Sequence, residues 1–552
     1  MKKFLLLLVF SGSVAMSNAQ LNNTVEVTNE VKPVVTDVKK VDVPTKAAET
    51  KVKHYTMEYS VEGQTLNNYA PESLGNYESE EVRKGNKKGY VHMAGGVQGQ
   101  LDAQAAYQFD ITENDALTAD LSLKGFNGKA RENKYLGVKD WKTRDYQNRA
   151  ALKYNHRLDN GADIFVKGAW QNRLYNYMEG YDTTDKQHDV MMDASAGFTT
   201  LEFGNFSIEG SAGVDLFNQQ YRTTLNDKLG ETLVHADADM QYEFSDAHSV
   251  GMGVGFFHSA YKNKDLKGIT RLRFTPHYLY SNSVVDLQLG LFVSTKGNVA
   301  PDVSFTYYLN PKSSVYVEVT GEEEDNTFRL FSATHPYFAV MGADEEGKQK
   351  MESAFYQLEA SLGYRFKDFY GLNGNIGAGY EQGKDVLSLE WICPDRFGRE
   401  VVLAEFDTYR AFTIDADFSY AYEDILKVEA KNRLYFEKWK DEEENRWVSG
   451  NYTLPVFSMD WKADVKLMKG FYLGLDWKYA AFHQQDIGTE DDPQYKRPAI
   501  VNFGASLRYT LPIKQPLTLF VKGDNLFNRN YDRYYCYRNI GASFLGGFAL
   551  SF

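Results

Sequence analysis

The sequence predicts an all-β protein, namely a transmembrane antiparallel β-barrel of about 22 strands of the outer-membrane type. Three observations predict this fold class. The chain ends on a strand-like segment that closes with Phe552, apolar and polar residues alternate repeatedly along the chain, and short and long connections follow each other in turn between the alternating segments. Each observation fits a closed sheet that stands between lipid and water.

The first 19 residues predict a secretory signal peptide. Lys2 and Lys3 form a basic start, residues 4–10 are wholly apolar, and residues 17–19 (Ser-Asn-Ala) are a small-x-small cleavage site. The apolar run is too short to span a membrane as a helix. We therefore expect export, and for a barrel of this type the destination is the outer membrane of a Gram-negative bacterium, as an integral protein after cleavage.

Residues 20–88 predict an extended or disordered segment, periplasmic or lumenal, ahead of a barrel that occupies residues 89–552. The segment is rich in Val, Lys, Glu and Thr with scattered prolines, a composition that buries little apolar surface. The chain has a net charge of −14 and no basic stripe, so nucleic acid is not an expected partner. Aromatic residues make up 14% of the chain, which suits the aromatic girdles of a membrane barrel.

Alternation with a period of two predicts the individual strands. In residues 234–244 apolar or small positions alternate with polar ones, and residues 412–420 and 457–467 alternate in the same way. Strands of a soluble sandwich also alternate, but here the polar face carries full charges at successive positions over strands longer than soluble proteins usually have. The polar face is expected to line the lumen, and the candidate lining residues are Asp237, Asp239, Asp415, Asp417, Lys462, Asp464 and Asp476.

The last ten residues predict the strand that closes the barrel. Phe544, Phe548, Leu550 and Phe552 share one face of the period-2 pattern. Small or polar residues occupy the other face, with Leu545 as the exception. One large apolar face and one small face are what a strand between lipid and lumen requires.

Connection lengths support the strand count independently. Bacterial barrels have short periplasmic turns and longer outer loops. With the C-terminus on the periplasmic side, every second connection counted back from it should be short. The short connections are 512–516, 468–470, 422–425, 367–370, 310–313, 281–283, 245–248, 204–205, 159–161 and 112–115. The long ones include 127–144, 177–187, 321–352, 393–407, 439–453 and 484–497.

The C-terminal end of the chain has a strand, an outer loop and a closing strand, with characteristic residues at Asn525, Leu526, Phe527, Asn528 and Tyr531, then at Arg538, Gly541, Phe544 and Phe552 after the loop. In these residues the segment 517–552 resembles the C-terminal end of TonB-dependent outer-membrane receptors. The resemblance implies a large barrel, and it implies uptake of iron chelates, cobalamin, oligosaccharides or peptides with energy relayed from the inner membrane. Residues 20–88 are too few for the plug domain of that family, so the chain resembles a plug-less, barrel-only relative.

A possible energy-coupling box lies near the mature N-terminus. Thr24, Val25, Glu26, Val27 and Thr28 resemble the short extended box that contacts the TonB protein. A TonB-type energising protein is therefore a candidate partner. The alternative is that residues 20–88 form a periplasmic tail, or a segment threaded into the lumen, without that role.

No enzyme, cofactor or metal site is expected. Cys393 and Cys536 are the two cysteines, and both fall in predicted outer loops. In an oxidising compartment they either form one disulfide or remain two thiols. The histidines lack metal-ligand spacing, and the glycines at 251–255 and 371–379 lie in strand-like runs rather than in a phosphate loop.

Two predicted outer loops are candidates for ligand or partner contact. Residues 328–341 are unusually apolar for an exposed loop and contribute Phe331, Tyr337 and Phe338. Such a loop either folds into the barrel mouth or docks a partner. The second loop contributes Arg533, Tyr534 and Tyr535. Acidic runs at residues 322–325, 441–444 and 490–492 are also placed in loops, where solvated loop tips are the simpler interpretation than cation sites.

Two functions follow from this fold. The first is uptake of a solute through the barrel, with outer loops that capture it and an N-terminal segment that gates the lumen. The second is a non-transporting barrel that scaffolds surface lipoproteins or envelope-assembly partners, which the missing plug favours. Expected partners are outer-membrane lipid, lipopolysaccharide and the barrel-assembly machinery, together with a TonB-type protein or a surface lipoprotein.

Overall fold

The computed structural model describes residues 88–132, 141–177, 186–220, 228–263, 266–340, 349–351, 353–394, 400–441, 445–448, 454–483, 497–513, 515–534 and 537–552. These residues belong to one compact unit. Most of them lie in one sheet of 24 strands. Twenty-two of these strands form the barrel, and two short strands extend it at its outer end.

The barrel strands are numbered here in chain order. They are β1 Gly89–Gly96, β2 Leu101–Asp110, β3 Asp115–Ala130, β4 Trp141–Arg157, β5 Asp163–Asn176, β6 Lys186–Phe203, β7 Phe206–Gln219, β8 Gly230–Ser245, β9 His248–Tyr261, β10 Thr270–Ser281, β11 Val285–Ser294, β12 Val299–Asn310, β13 Ser313–Asp325, β14 Ser353–Phe369, β15 Leu372–Pro394, β16 Glu400–Tyr422, β17 Leu426–Asp441, β18 Pro455–Met468, β19 Phe471–Phe482, β20 Ile500–Thr510, β21 Leu517–Asp524 and β22 Ser543–Ser551.

The sheet closes on itself. Each strand pairs antiparallel with its neighbours in the chain, and β1 pairs with both β2 and β22, with Tyr90 opposite Ser551 and Gly95 opposite Gly546. Closure leaves no strand edge unpaired, which a sheet in hydrocarbon requires. The predicted fold class and strand count are confirmed. Each predicted short turn joins two consecutive strands.

The two faces of the wall differ as the alternation predicts. On the outer face, Leu121 of β3 is 57% exposed and Val166 of β5 is 53% exposed, although both are large and apolar. In β22, Phe544 is 51% exposed while Leu545, which points inward, is 3% exposed. Large side chains left exposed on a single face are explained by contact with lipid. Among the described residues, no helix has the length and apolar character that crossing a membrane requires.

Several strands continue past the ends that the sequence predicts. β15 and β16 each have 23 residues and include most of the segment 393–407 that the sequence predicts as a loop. The assignment of the acidic run 322–325 to a loop is also wrong, since it forms the end of β13 and pairs with β14. There Arg271 of β10 contacts Glu323 at 2.8 Å and Asp325 at 2.5 Å. Above the lipid both strand faces meet water or protein, so apolar alternation no longer marks the strand.

A charge on the lipid-facing row tests the assignment of faces. Replacing Leu121 with Arg is expected to lower the free energy of unfolding by about 2–4 kcal/mol, the cost of a cation near the bilayer midplane. The measurement is urea unfolding in phospholipid vesicles, followed by tryptophan fluorescence. Ser122→Arg is the matched control, because the neighbouring position faces the lumen. Equal losses for the two variants would contradict the assignment.

Candidate functional site: the closed outer mouth

The connection between β13 and β14 folds back onto the barrel. Helix α1 (Phe328–Thr334) begins after Thr327, whose side-chain oxygen accepts a hydrogen bond from the Leu330 amide at 3.1 Å. Beyond the helix, Phe338–Val340 forms a short strand that pairs parallel with residues 402–404 of β16. Residues 326–340 are called the cap below. Their two ends are therefore fixed to different parts of the wall.

An apolar core holds the cap against the inside of the wall. Phe328, Phe331 and Phe338 are fully buried. The ring of Phe328 contacts Phe217 of β7 at a centroid distance of 6.2 Å and Tyr261 of β9 at 5.2 Å. Phe331 contacts Phe406 of β16 at 6.1 Å and Phe338 at 5.6 Å. Burial of three Phe side chains contributes about 1.5–3 kcal/mol each, so this core stabilises the docked cap.

Polar contacts join the cap to three successive strands, β6, β7 and β8. Arg329 lies 3.7 Å from Asp193 of β6 and 3.4 Å from Asp215 of β7, which are directly opposite each other in the sheet. Like charges at opposed positions repel, and a guanidinium between them removes that repulsion. The Phe328 amide donates to Glu231 of β8 at 3.0 Å. The cap therefore reaches wall strands far from the β13–β14 hairpin that carries it.

A buried arginine of β5 also contacts the cap. Arg173 donates from Nη1 to the Ser332 carbonyl at 3.0 Å and binds Asp145 of β4 through Nε at 3.1 Å and Nη2 at 2.7 Å. Their side chains are 7% and 2% exposed. The Ser332 hydroxyl donates to Asp189 of β6 at 2.8 Å. Two parallel bonds to one carboxylate fix the guanidinium in position. Removal of either partner of such a buried pair is strongly destabilising, because the other charge is left uncompensated.

A second outer segment lies beside the cap. Residues 525–542, between β21 and β22, are called the C-terminal loop below. Its Tyr537 ring stacks on Tyr337 of the cap at a centroid distance of 3.4 Å and an angle of 3°. Its Arg533 lies 3.0 Å from Asp145, and its Tyr534 hydroxyl accepts from Arg173 at 2.6 Å. Burial raises the pKa of the Tyr337 hydroxyl far above its usual value, so this ring stays neutral in the interface.

The structure places the candidate lumen residues on the inner face of the wall. Asp237 pairs with Arg273, Asp415 lies 3.7 Å from Arg433, Asp464 pairs with Arg508, and Asp476 lies 4.0 Å from Lys522. Lys462 lies opposite Glu429 and Asp476, Asp239 opposite Glu209, and Asp417 opposite Lys431. Six of the seven lie beside or opposite a residue of opposite charge, whereas Asp239 lies opposite the like charge of Glu209. They are spread along the wall and do not converge on one site, and their lining of a solute path remains a prediction. The described residues include no group of three or more His, Cys, Asp or Glu that could hold a metal ion.

The structure brings together most of the candidate outer-loop residues. Phe331, Tyr337 and Phe338 lie in the cap, and Arg533 and Tyr534 in the adjoining C-terminal loop. All five face the interior of this assembly rather than a solvent-exposed patch. Tyr535, Cys536 and the segment Thr24–Thr28 lie outside the described residues, and Cys393 lies in β15. The disulfide and the energy-coupling box therefore remain predictions.

The wall residues that hold the cap were not singled out from the sequence. Asp145, Arg173, Asp189 and Glu231 look there like any other polar position of an alternating strand. Arg173 and Ser332 are separated by 159 residues and Arg173 and Tyr534 by 361. Contacts between residues so far apart in the chain leave no local pattern in the sequence. The one available signal was the apolar cap sequence, which needs a buried partner surface.

The barrel is similar in fold to solved structures of an iron transporter and of siderophore receptors. The chain is similar to the FrpB iron transporter of Neisseria meningitidis, with a TM-score of 0.64, 10% identity and coverage of 86% of this chain and 82% of that one. It is also similar to the siderophore receptor PirA of Acinetobacter baumannii (TM-score 0.63, 10% identity, 84% and 80% covered). The chain shares the barrel fold of siderophore receptors. A further similar structure is a mutant of the ferric enterobactin receptor PfeA of Pseudomonas aeruginosa in complex with enterobactin (TM-score 0.63, 10% identity, 84% of this chain and 81% of that one covered). No protein-family model and no curated protein matches the sequence.

Proposed function

We propose that the protein is an uptake barrel of the outer membrane whose outer mouth is closed by the cap at rest. The observation that carries this proposal is the path of the cap, which leaves the β13–β14 hairpin and docks on β5, β6, β7 and β8 as well as on β16. A segment anchored on both sides of the ring obstructs the entrance. The lumen below it is lined by charged side chains, as passage of a polar solute requires.

Iron chelates are the first solutes to test. The neighbours in fold include an iron transporter and a receptor in complex with enterobactin. At 10% identity these proteins share the fold with this chain. The solute is accordingly assigned only as a polar molecule small enough for a barrel of 22 strands.

Scaffolding of surface lipoproteins is the second candidate function. It is favoured by the extent of the apolar core under the cap, because a permanently closed mouth needs such a core and a frequently opened gate does not. In this alternative the cap is a fixed stopper, and the barrel serves as a platform in the membrane.

A pull-down from native outer membranes in mild detergent separates the two functions. For an energised importer we expect recovery of a TonB-type protein, identified by mass spectrometry, and its loss when residues 24–28 are deleted. A variant with residues 20–23 deleted is the matched control and should retain the partner. Stable recovery of lipoproteins that is indifferent to both deletions, with no TonB-type protein, would overturn uptake in favour of the scaffold.

A further inference from the structure

We infer that the cap and the C-terminal loop open and close as one gate, held to the wall by Arg173 with Asp145 as its positioning residue. The inference rests on the proposed function, since it describes how the closed mouth of that uptake barrel would open. It concerns two segments that are far apart in the chain, residues 326–340 and 525–542. Both converge on the same corner of the wall, at the outer ends of β4 and β5.

The two segments share one continuous aromatic interface. Besides the stack of Tyr337 on Tyr537, the cap residue His335 lies 5.6 Å from the Tyr534 ring, and Tyr337 lies 6.1 Å from it. Trp141 at the start of β4 meets the edge of Tyr537 at 6.0 Å. Such aromatic pairs stabilise an interface beyond the apolar area that they bury. Lifting either segment alone breaks this interface, whereas lifting both together keeps it.

One guanidinium holds both segments to the wall. Arg173 donates to the Ser332 carbonyl of the cap and to the Tyr534 hydroxyl of the C-terminal loop. Asp145 orients that guanidinium through two bonds and also binds Arg533 of the C-terminal loop at 3.0 Å. The side chains of Arg173 and Arg533 are 7% and 16% exposed, so solvent compensates poorly for a lost partner and a change at this node affects both segments.

The remaining anchors of the two segments lie on different arcs of the barrel. The cap is held by β6, β7 and β8 and by β16, as described above. The C-terminal loop is held by residues just after β1 and β3, where Gln98 donates to the Ile540 carbonyl at 2.8 Å and the Arg131 amide donates to the Asn539 carbonyl at 3.1 Å. It is also held by β20, where Asn502 accepts from the Asn525 amide at 2.9 Å. Because these anchors are separate, a disturbance made in one segment reaches the other only through the shared interface and the Arg173 node.

Amide hydrogen exchange of the full-length barrel in detergent tests the coupling. Phe331→Ala removes a ring from the core of the cap. Tyr531→Ala removes a ring of the C-terminal loop that packs on Phe482 of β19 and Ile500 of β20, away from the Arg173 node. The reporters are peptides that contain the His335 amide, bonded to Phe331, and the Asn539 amide, bonded to Tyr531. We expect each variant to accelerate exchange at least about tenfold in both peptides. Phe292→Ala removes an equally buried ring from another core cluster and is the matched control, in which both peptides should keep the wild-type rates.

Wild-type exchange rates in the peptide of the segment that is not mutated would overturn the inference, since the two segments would then open separately. The two single-segment variants are independent, so a failure of one to assemble leaves the other to decide. The proposed function has a separate readout, channel opening on removal of the cap. If the barrel conducts ions without its cap but faster exchange stays limited to the mutated segment, the joint opening of the two segments is rejected and the proposed uptake function is not.

Discussion

Asp145→Asn is expected to undock the outer mouth while the barrel itself stays closed. The substitution keeps the shape of the side chain but removes the charge that compensates Arg173 and Arg533. Loss of one partner of a buried ion pair costs about 3–5 kcal/mol, and here two arginines lose their compensating negative charge. The penalty falls on the docked state alone, because both guanidinium groups reach water once the loops lift. Hydrogen exchange and limited proteolysis of residues 326–340 and 525–542 report the change.

Asp120→Asn is the matched control for this prediction. Asp120 of β3 binds Arg149 of β4 at 3.0 Å, which is also an Asp–Arg pair between neighbouring barrel strands. Its side chains are 25% and 43% exposed, so water replaces the lost contact and the expected cost is about 0–1 kcal/mol. Retention of wild-type protection in the Asp145 variant would show that the apolar core alone holds the cap.

Gly547→Val is expected to prevent closure of the barrel. Gly547 of β22 faces β1 across the seam, where a Cβ atom would lie 2.1 Å from the Met93 carbonyl oxygen and 2.6 Å from the Ala94 Cα. Both atoms belong to the backbone of the pairing strand, so neither can move aside without loss of the β1–β22 ladder. An unclosed sheet leaves two unpaired edges in hydrocarbon, where each unsatisfied group costs several kcal/mol. We expect little folded protein, measured as loss of the heat-modifiable band in cold gel electrophoresis.

The adjacent glycine provides the control. A Cβ atom at Gly546, on the outward-facing side of the same strand, would meet its nearest atoms at 3.7 and 3.8 Å, which is ordinary van der Waals contact. Gly546→Val should therefore fold as the wild type does. If both valine variants fold equally well, the seam between β1 and β22 is not where the barrel closes.

The architecture could be predicted from the sequence because lipid imposes a local rule on every strand. Alternation at residues 234–244 and 457–467 locates β8 and β18, and the short turns fix the parity of the connections. The alternation of apolar and polar residues stops where a strand extends beyond the lipid. The register of β13 shifts near Gly321, and beyond it residues 322–325 carry charges at successive positions, so the sequence there predicts a loop where the structure has the end of a strand.

The candidate site could be predicted only in part. The apolar cap residues Phe331 and Phe338 stand out because an exposed loop does not normally carry them, and Arg533 and Tyr534 belong to an aromatic and basic cluster. What these residues bind is a matter of tertiary structure. Asp145 and Arg173 satisfy the same alternation as every other inward position, and their contacts join segments hundreds of residues apart. Only the closed ring of strands brings those segments together.

The most direct measurement for the closed-mouth account is single-channel conductance in planar lipid bilayers. In the decisive variant a four-residue Gly-Ser linker replaces residues 327–351, which the register permits because Asp325 and Ser353 are paired neighbours. In the control the same linker replaces residues 295–298, an outer turn whose Lys296 donates to Ser353 of β14 and whose Asn298 donates to Glu323 of β13. We predict a silent wild type, a silent control and a stable open channel for the cap variant. Silence of all three proteins would contradict the account, because removal of the cap would then leave the path closed.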